Sequence, residues 1–168
     1  MVPTESLEPV EVPVPPALVI ETRRKSGTLP AEISAAMAES FTALVRHANA
    51  HGLRFAGPPR AIYTGWSATG VEFTVAMPIV APASPPETED GVRVTTLAGG
   101  ETLRFLHVGP YAELMQTYNR IGQWLTAKGL MSSEADWAKF SPMWEEYLTD
   151  PQTTPPSELR TYIYLPKR

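Results

Sequence analysis

The sequence predicts an α+β fold: one antiparallel sheet with two main helices on one face and a ligand groove on the other, built from two pseudo-symmetric β-α-β-β repeats. Three observations point there. Two stretches place apolar residues at helical spacing, several short runs alternate apolar with polar residues, and the two halves of the chain resemble each other.

Residues 1–9 are polar and contain proline, which predicts a flexible lead-in to a single domain over 10–168, with half-repeats at about 10–80 and 91–166. From Val10 to Arg24 the pattern is strand-like but interrupted by Pro13, Pro15 and Pro16, as in an edge or bulged strand. Pro30 and Glu32 suit a helical first turn, and Ile33, Met37, Phe41, Leu44 and Ala48 then fall on one helix face, with Gly52 at the C-terminal stop. A short strand follows at Arg60 to Thr64. Val71, Phe73, Val75 and Met77 next alternate with Glu72, Thr74 and Ala76 up to Pro78.

Ala81 to Asp90, with its prolines and acids and no periodicity, reads as the linker between halves. Val92 to Leu97 and Thr102 to Val108 read as strands joined by Gly99-Gly100, a hairpin signal. Gly109-Pro110 opens a second helix carrying Leu114, Tyr118, Ile121 and Leu125, stopped by Lys128-Gly129. After an irregular segment come a strand at Trp144 to Leu148, ended by Asp150-Pro151, and a last strand from Leu159 to Leu165.

The halves align on Ala50-His51-Gly52-Leu53 with Ala127-Lys128-Gly129-Leu130, on Tyr63 with Tyr147, and on Met77-Pro78 with Leu165-Pro166. Alternation along the Trp144 strand sends Glu145 and Tyr147 to one face and Trp144 and Glu146 to the other. The groove is therefore expected to receive Ala61 and Tyr63 from the first half and Glu145 and Tyr147 from the second, with the acid on one side only.

Fourteen basic against eighteen acidic residues, a net charge of −4, with no basic run, argue against a nucleic-acid surface. The absence of cysteine removes disulfides, thiolate metal sites and cysteine nucleophiles. No signal peptide or membrane-spanning run is evident, so a cytoplasmic protein without membrane contact is expected.

Several motifs in order resemble the GyrI-like small-molecule-binding domains, which are similar to the effector-binding domains of AraC-type and multidrug-responsive activators. These are His107-Val108-Gly109-Pro110-Tyr111, Lys128-Gly129-Leu130, Trp144 to Pro151, and Glu158-Leu159-Arg160-Thr161. The resemblance implies a duplicated fold whose cavity binds hydrophobic, often cationic or polyaromatic compounds against a buried glutamate, here Glu145 with Tyr147 beside it. Some relatives are hydrolases that open the cyclopropane of alkylating antibiotics, and on that reading Glu145 would be catalytic and direct water. The fold takes nearly the whole chain and leaves no helix-turn-helix, so no direct nucleic-acid binding is expected, and regulation would need a protein partner. Two departures stand out: Thr74 and Tyr162 occupy places where the family often has an acid, which implies a less anionic pocket, and Met131 to Ser141 replaces a shorter connection, which alters the rim.

A carboxylate in an apolar cavity suits cation binding or general-base work. The competing reading is a glutamate paired with Arg160 or Arg60, or one simply solvated. Tyr63, Tyr111, Trp66, Tyr162 and Tyr164 are candidate walls of the cavity or ordinary half-buried packing residues. Trp137 and Phe140, after Ser133-Glu134, sit on a short capped helix that is either a lid or a cap sealing the core. His47 and His51 have the spacing of a two-histidine metal pair, but no third ligand is evident and no metal or other cofactor is expected. His107 reads as structural or pocket-lining.

Overall fold

The computed structural model describes residues 7–167. Of the lead-in expected at 1–9, residues 1–6 lie outside the described residues, whereas Leu7 packs against the core of the second half. The strands are β1 (Val10–Val14), β2 (Ala17–Ser26), β3 (Arg60–Trp66), β4 (Val71–Pro78), β5 (Val92–Leu97), β6 (Gly100–Val108), β7 (Trp144–Tyr147) and β8 (Arg160–Pro166). The helices are α1 (Pro30–His51) and α2 (Leu114–Ala127), the latter preceded by a 3-10 turn at Tyr111–Glu113. No helix among the described residues is long and apolar enough to cross a membrane.

The strands form one antiparallel sheet in the order β1-β6-β8-β7-β3-β4-β2-β5. Its centre is the β3–β7 pair, where Ala61 opposes Glu145, and on either side each half contributes three strands and one helix in matching order. The α+β architecture with a duplicated β-α-β-β unit is therefore present.

Two local features differ from the sequence reading. The stretch from Val10 to Arg24 is not one edge strand: Pro15-Pro16 divides it into β1, at the sheet edge on β6, and β2, which lies inside the sheet between β4 and β5. Gly99-Gly100 does not close a hairpin either, because β5 pairs with β2 and β6 with β1 and β8. Each half's leading strand thus joins the other half's edge.

This exchange forces the sheet to curl. Laid flat, β1 and β2 would stand about 29 Å apart at ordinary strand spacing, yet the three peptide steps from Val14 to Ala17 reach only about 11 Å. The two ends of the sheet must therefore approach each other. The crossing turns meet at Gly99, where an added Cβ would collide with the Val14 carbonyl and the Pro15-Pro16 backbone, so glycine is needed for the close approach.

Each helix covers only its own side. Leu44 and Ala48 of α1 pack with Ile20, Val71, Phe73, Val75 and Val92, while Ile121 and Leu125 of α2 pack with Leu103, Phe105, Ile163 and Leu165. The two cores are separate, and the β3–β7 seam between them is left free of helix. The groove expected on the far face of the sheet consequently lies on the helix face, between the helices. Residues of β3 and β7 that turn toward the seam share that face with the core residues Phe73, Val75 and Ile163, which is why the helices flank the opening and do not back it.

Candidate functional site

Both helical stripes change role along their length. Leu44 and Ala48 are buried in one core and Ile121 and Leu125 in the other, whereas Met37 and Phe41 of α1 and Leu114 and Tyr118 of α2 continue the same stripes into the cleft. With the sheet seam as floor, these residues enclose an open cleft of 2720 Å³. Small-molecule pockets are commonly about 300–1,000 Å³. The cleft therefore has room for a bulky, multi-ring ligand.

Glu145 lies at its floor and is 2% exposed. Tyr147 donates to its Oε1 at 2.7 Å, Tyr63 donates to the same oxygen at 3.2 Å, and Tyr118 donates to Oε2 at 2.6 Å. Among the described residues no lysine or arginine forms an ion pair with it. Arg60, a partner that the sequence allows for it, instead approaches Glu146 Oε2 at 3.6 Å on the opposite face. An ionised carboxylate only accepts hydrogen bonds, so three inward-pointing hydroxyls hold the site ready for the charged form.

Two opposing influences act on this carboxyl. Burial is the larger and pushes it above its ordinary range, while the bonds from Tyr118, Tyr147 and Tyr63 and the nearby His107 pull it back in part. The same burial, followed by the charge of Glu145, raises the Tyr63, Tyr118 and Tyr147 hydroxyls well above the usual phenol range. These three remain protonated donors at neutral pH.

Of the residues singled out from the sequence, Glu145, Tyr147 and Tyr63 come together at the seam. Tyr111 stands above them, its ring 5.6 Å from that of Tyr147 in an edge-on arrangement. Trp66 is an exposed rim residue, 61% accessible, with its ring 6.4 Å from Tyr63. Trp137 lies on the 3-10 helix Glu134–Phe140, over Gly122 of α2 and 6.5 Å from the Tyr118 ring. That segment serves both core and cleft: Phe140 and Met131 are buried in the second core, while Glu134, Ala135, Trp137 and Ala138 line the cleft. The Ser133 side chain does not cap it. The Asp136 carboxylate instead accepts from Ser132 N–H and Oγ, which depresses its pKa.

Tyr162 does not join the site. In the ladder it opposes Glu146 and Leu106, and it faces away from the helices, beneath the Arg104 guanidinium, which lies 4.1 Å from its ring centroid. Thr74, paired with Ile62, faces the same way. The residues standing where an acid was expected are thus outside the cleft and do not alter its charge.

Tyr118 is the residue at Glu145 that the sequence reading misses. It sits on the apolar stripe of α2 and reads as core. The available signal is its hydroxyl, since a buried tyrosine usually finds a hydrogen-bond partner. His107 is held at both ring nitrogens: Nε2–H donates to the Pro110 carbonyl at 3.0 Å, and Nδ1 shares a hydrogen bond with the Thr117 hydroxyl at 2.6 Å.

The family of GyrI-like small molecule binding domains matches residues 23–168. No match was found among curated protein sequences. Solved structures with this fold include EcmrR in a cryo-EM complex with DNA (TM-score 0.74, 14% identity), covering 96% of this chain and 57% of that one. The chain thus spans little more than half of that protein. The separate EcmrR C-terminal domain aligns with TM-score 0.70 and 14% identity over 96% of this chain and 98% of that one. SAV2435, solved bound to tetraphenylphosphonium, aligns with TM-score 0.61 and 11% identity over 96% and 94% of the respective chains.

Proposed function

This chain belongs to the family of GyrI-like small molecule binding domains, and from that premise we propose that its cleft takes hydrophobic aromatic cations against the carboxylate of Glu145. The observation that carries this reading is a buried acid without an ion-pair partner: Glu145 is buried, accepts three phenolic hydrogen bonds and forms no ion pair with a lysine, arginine or histidine among the described residues. Burying an uncompensated carboxylate is unfavourable, and a bound cation relieves it.

A carboxylate has about four acceptor positions, and three are taken. A ligand therefore meets the field of Glu145 more than its lone pairs. That favours cations with charge spread over an apolar body and no need of an N–H donor. The rings of Tyr111, Tyr147 and Trp137 add about 0.5–2 kcal/mol of cation–π attraction each when the cation is desolvated. Tetraphenylphosphonium, the ligand of SAV2435, has this chemistry. The biological role consistent with such a cleft is sensing or sequestration of a small molecule, with any regulatory output passing through a protein partner.

Titration with tetraphenylphosphonium, followed by tryptophan fluorescence, tests the reading because Trp66 and Trp137 line the cleft. A saturable change is expected, and its absence would refute the proposal. Mass analysis after incubation with a cyclopropane-bearing alkylator separates binding from the rival hydrolase, in which Glu145 draws a proton from water. Product formation lost on Glu145→Gln would move the assignment to an enzyme. Tyr162→Ala is expected to leave tetraphenylphosphonium affinity unchanged in the same titration, since that ring is on the other side of the sheet.

A further inference from the structure

Away from the cleft, the last turn of α1 and the connection between the halves bring three potential ligands together. His47 and His51, one helical turn apart, have ring centroids 4.5 Å from each other. Glu89, from the connection, places Oε2 3.2 Å from His51 Nε2. Its backbone is fixed by a two-way bridge with Val92, Glu89 N to Val92 O at 3.1 Å and Val92 N to Glu89 O at 2.9 Å. One donor atom from each of His47, His51 and Glu89 lies within 4.8 Å of the other two.

An ion pair between His51 and Glu89 explains two of these residues and leaves the third unaccounted for. His47 is 8% exposed, and its Nε2 is buried without a hydrogen-bond partner. Buried polar groups seldom go without a partner, and a metal ion is one partner that a buried imidazole nitrogen accepts. The third ligand that the histidine spacing lacks in the sequence comes from a residue 38 positions beyond His51.

We propose that His47, His51 and Glu89 form a binding site for a divalent transition-metal ion of the zinc type. Two imidazoles and one carboxylate are a known three-ligand set for tetrahedral zinc, with water in the fourth position. Nitrogen donors favour zinc, cobalt or nickel over magnesium and calcium, which prefer all-oxygen sites. Around an ion with bonds of about 2.0–2.1 Å, tetrahedral donors stand about 3.3 Å apart. The His51–Glu89 pair at 3.2 Å already has that spacing, so the remaining separation closes by a movement of at most about 1.5 Å, within reach of side-chain rotation. The bound ion would fasten the end of α1 to the connection between the halves. His107, the third histidine, is engaged at both ring nitrogens and does not compete.

Calorimetric titration with Zn²⁺ in a non-chelating buffer, on the full chain and on His51→Ala and Glu89→Gln, is the test. Both substituted residues lie at the surface, so the fold is expected to survive and circular dichroism checks that it does. One equivalent is expected to bind the unaltered protein and raise its Tm. Either substitution should weaken binding at least about tenfold, the loss that follows removal of even an outer-shell partner. Co²⁺ should give the visible d–d bands of a four-coordinate site, absent in the variants. Failure of the unaltered protein to take up one equivalent, or equal affinity in the variants, would overturn the proposal.

Discussion

Glu145→Gln is expected to weaken tetraphenylphosphonium binding about a hundredfold at neutral pH while leaving the protein as stable as before or more so. At an effective dielectric constant of about 20 and a separation of about 6 Å, one carboxylate attracts one cation by about 3 kcal/mol, which corresponds to about two decades of affinity. The amide keeps the size of the side chain and can still accept from Tyr147 and Tyr63, so the loss should be one of charge and not of shape. The stability result follows from the direction of the carboxyl shift. Burial, its largest cause, raises Glu145 above its ordinary 4.5. A folded state that holds a proton more tightly than the unfolded state has its full stability below the unfolded value and loses it as pH rises through the folded value. Thermal melts of both proteins from acidic to neutral pH should therefore diverge above about pH 4.5, in favour of the glutamine variant. A glutamine variant that is the less stable at neutral pH, or that binds the cation equally well, would show that Glu145 is not an uncompensated charge.

Tyr118→Phe is expected to destabilise the protein by about 1.5–3 kcal/mol at neutral pH, the range for a hydrogen bond to a charged group. Tyr118 donates to Oε2 at 2.6 Å, while Oε1 has both Tyr147 and Tyr63. Removing the Tyr118 hydroxyl leaves one buried oxygen without its donor. Because that bond favours the ionised form, its loss drives the Glu145 pKa further up, and the destabilisation should shrink as pH falls and the carboxyl takes its proton. Combined with Glu145→Gln, the substitution should cost less than the two separate effects would suggest, since both act on one network. Urea unfolding at two pH values reads all of this. Equal stability of Tyr118→Phe and the unaltered protein at neutral pH would mean that the hydroxyl does not sustain the carboxylate.

The features legible in the sequence are those that depend on near neighbours. The stripes of Leu44 with Ala48 and of Ile121 with Leu125, the stops at Gly52 and Gly129, and the shared face of Glu145 and Tyr147 all follow from periodicity or turn chemistry within one element. What is not legible depends on pairings far apart in the chain. Nothing local in Val10–Val14 indicates that its partner is β6, some 90 residues on, so Gly99-Gly100 reads as a hairpin. Tyr162 reads as a groove residue because the register that sets it opposite Glu146, and Ile163 opposite Glu145, cannot be taken from either strand alone. The side of the sheet on which the groove opens is also hidden. It depends on how little of a curled sheet each helix covers, and an apolar stripe does not say where core ends and cleft begins. Tyr118 sits at that boundary, as does Phe41, whose ring lies 6.1 Å from Tyr147. Glu89 escapes for the same reason as β1: its neighbours His47 and His51 are distant in sequence.

Charge selection by Glu145 is tested most directly by titrating the unaltered protein with tetraphenylphosphonium and, at the same ionic strength, with tetraphenylborate. The two ions have nearly the same shape and apolar surface but opposite charge. The cation is expected to bind at least about a hundredfold more tightly. Equal affinities, or tighter binding of the anion, would contradict a cleft organised around a buried carboxylate.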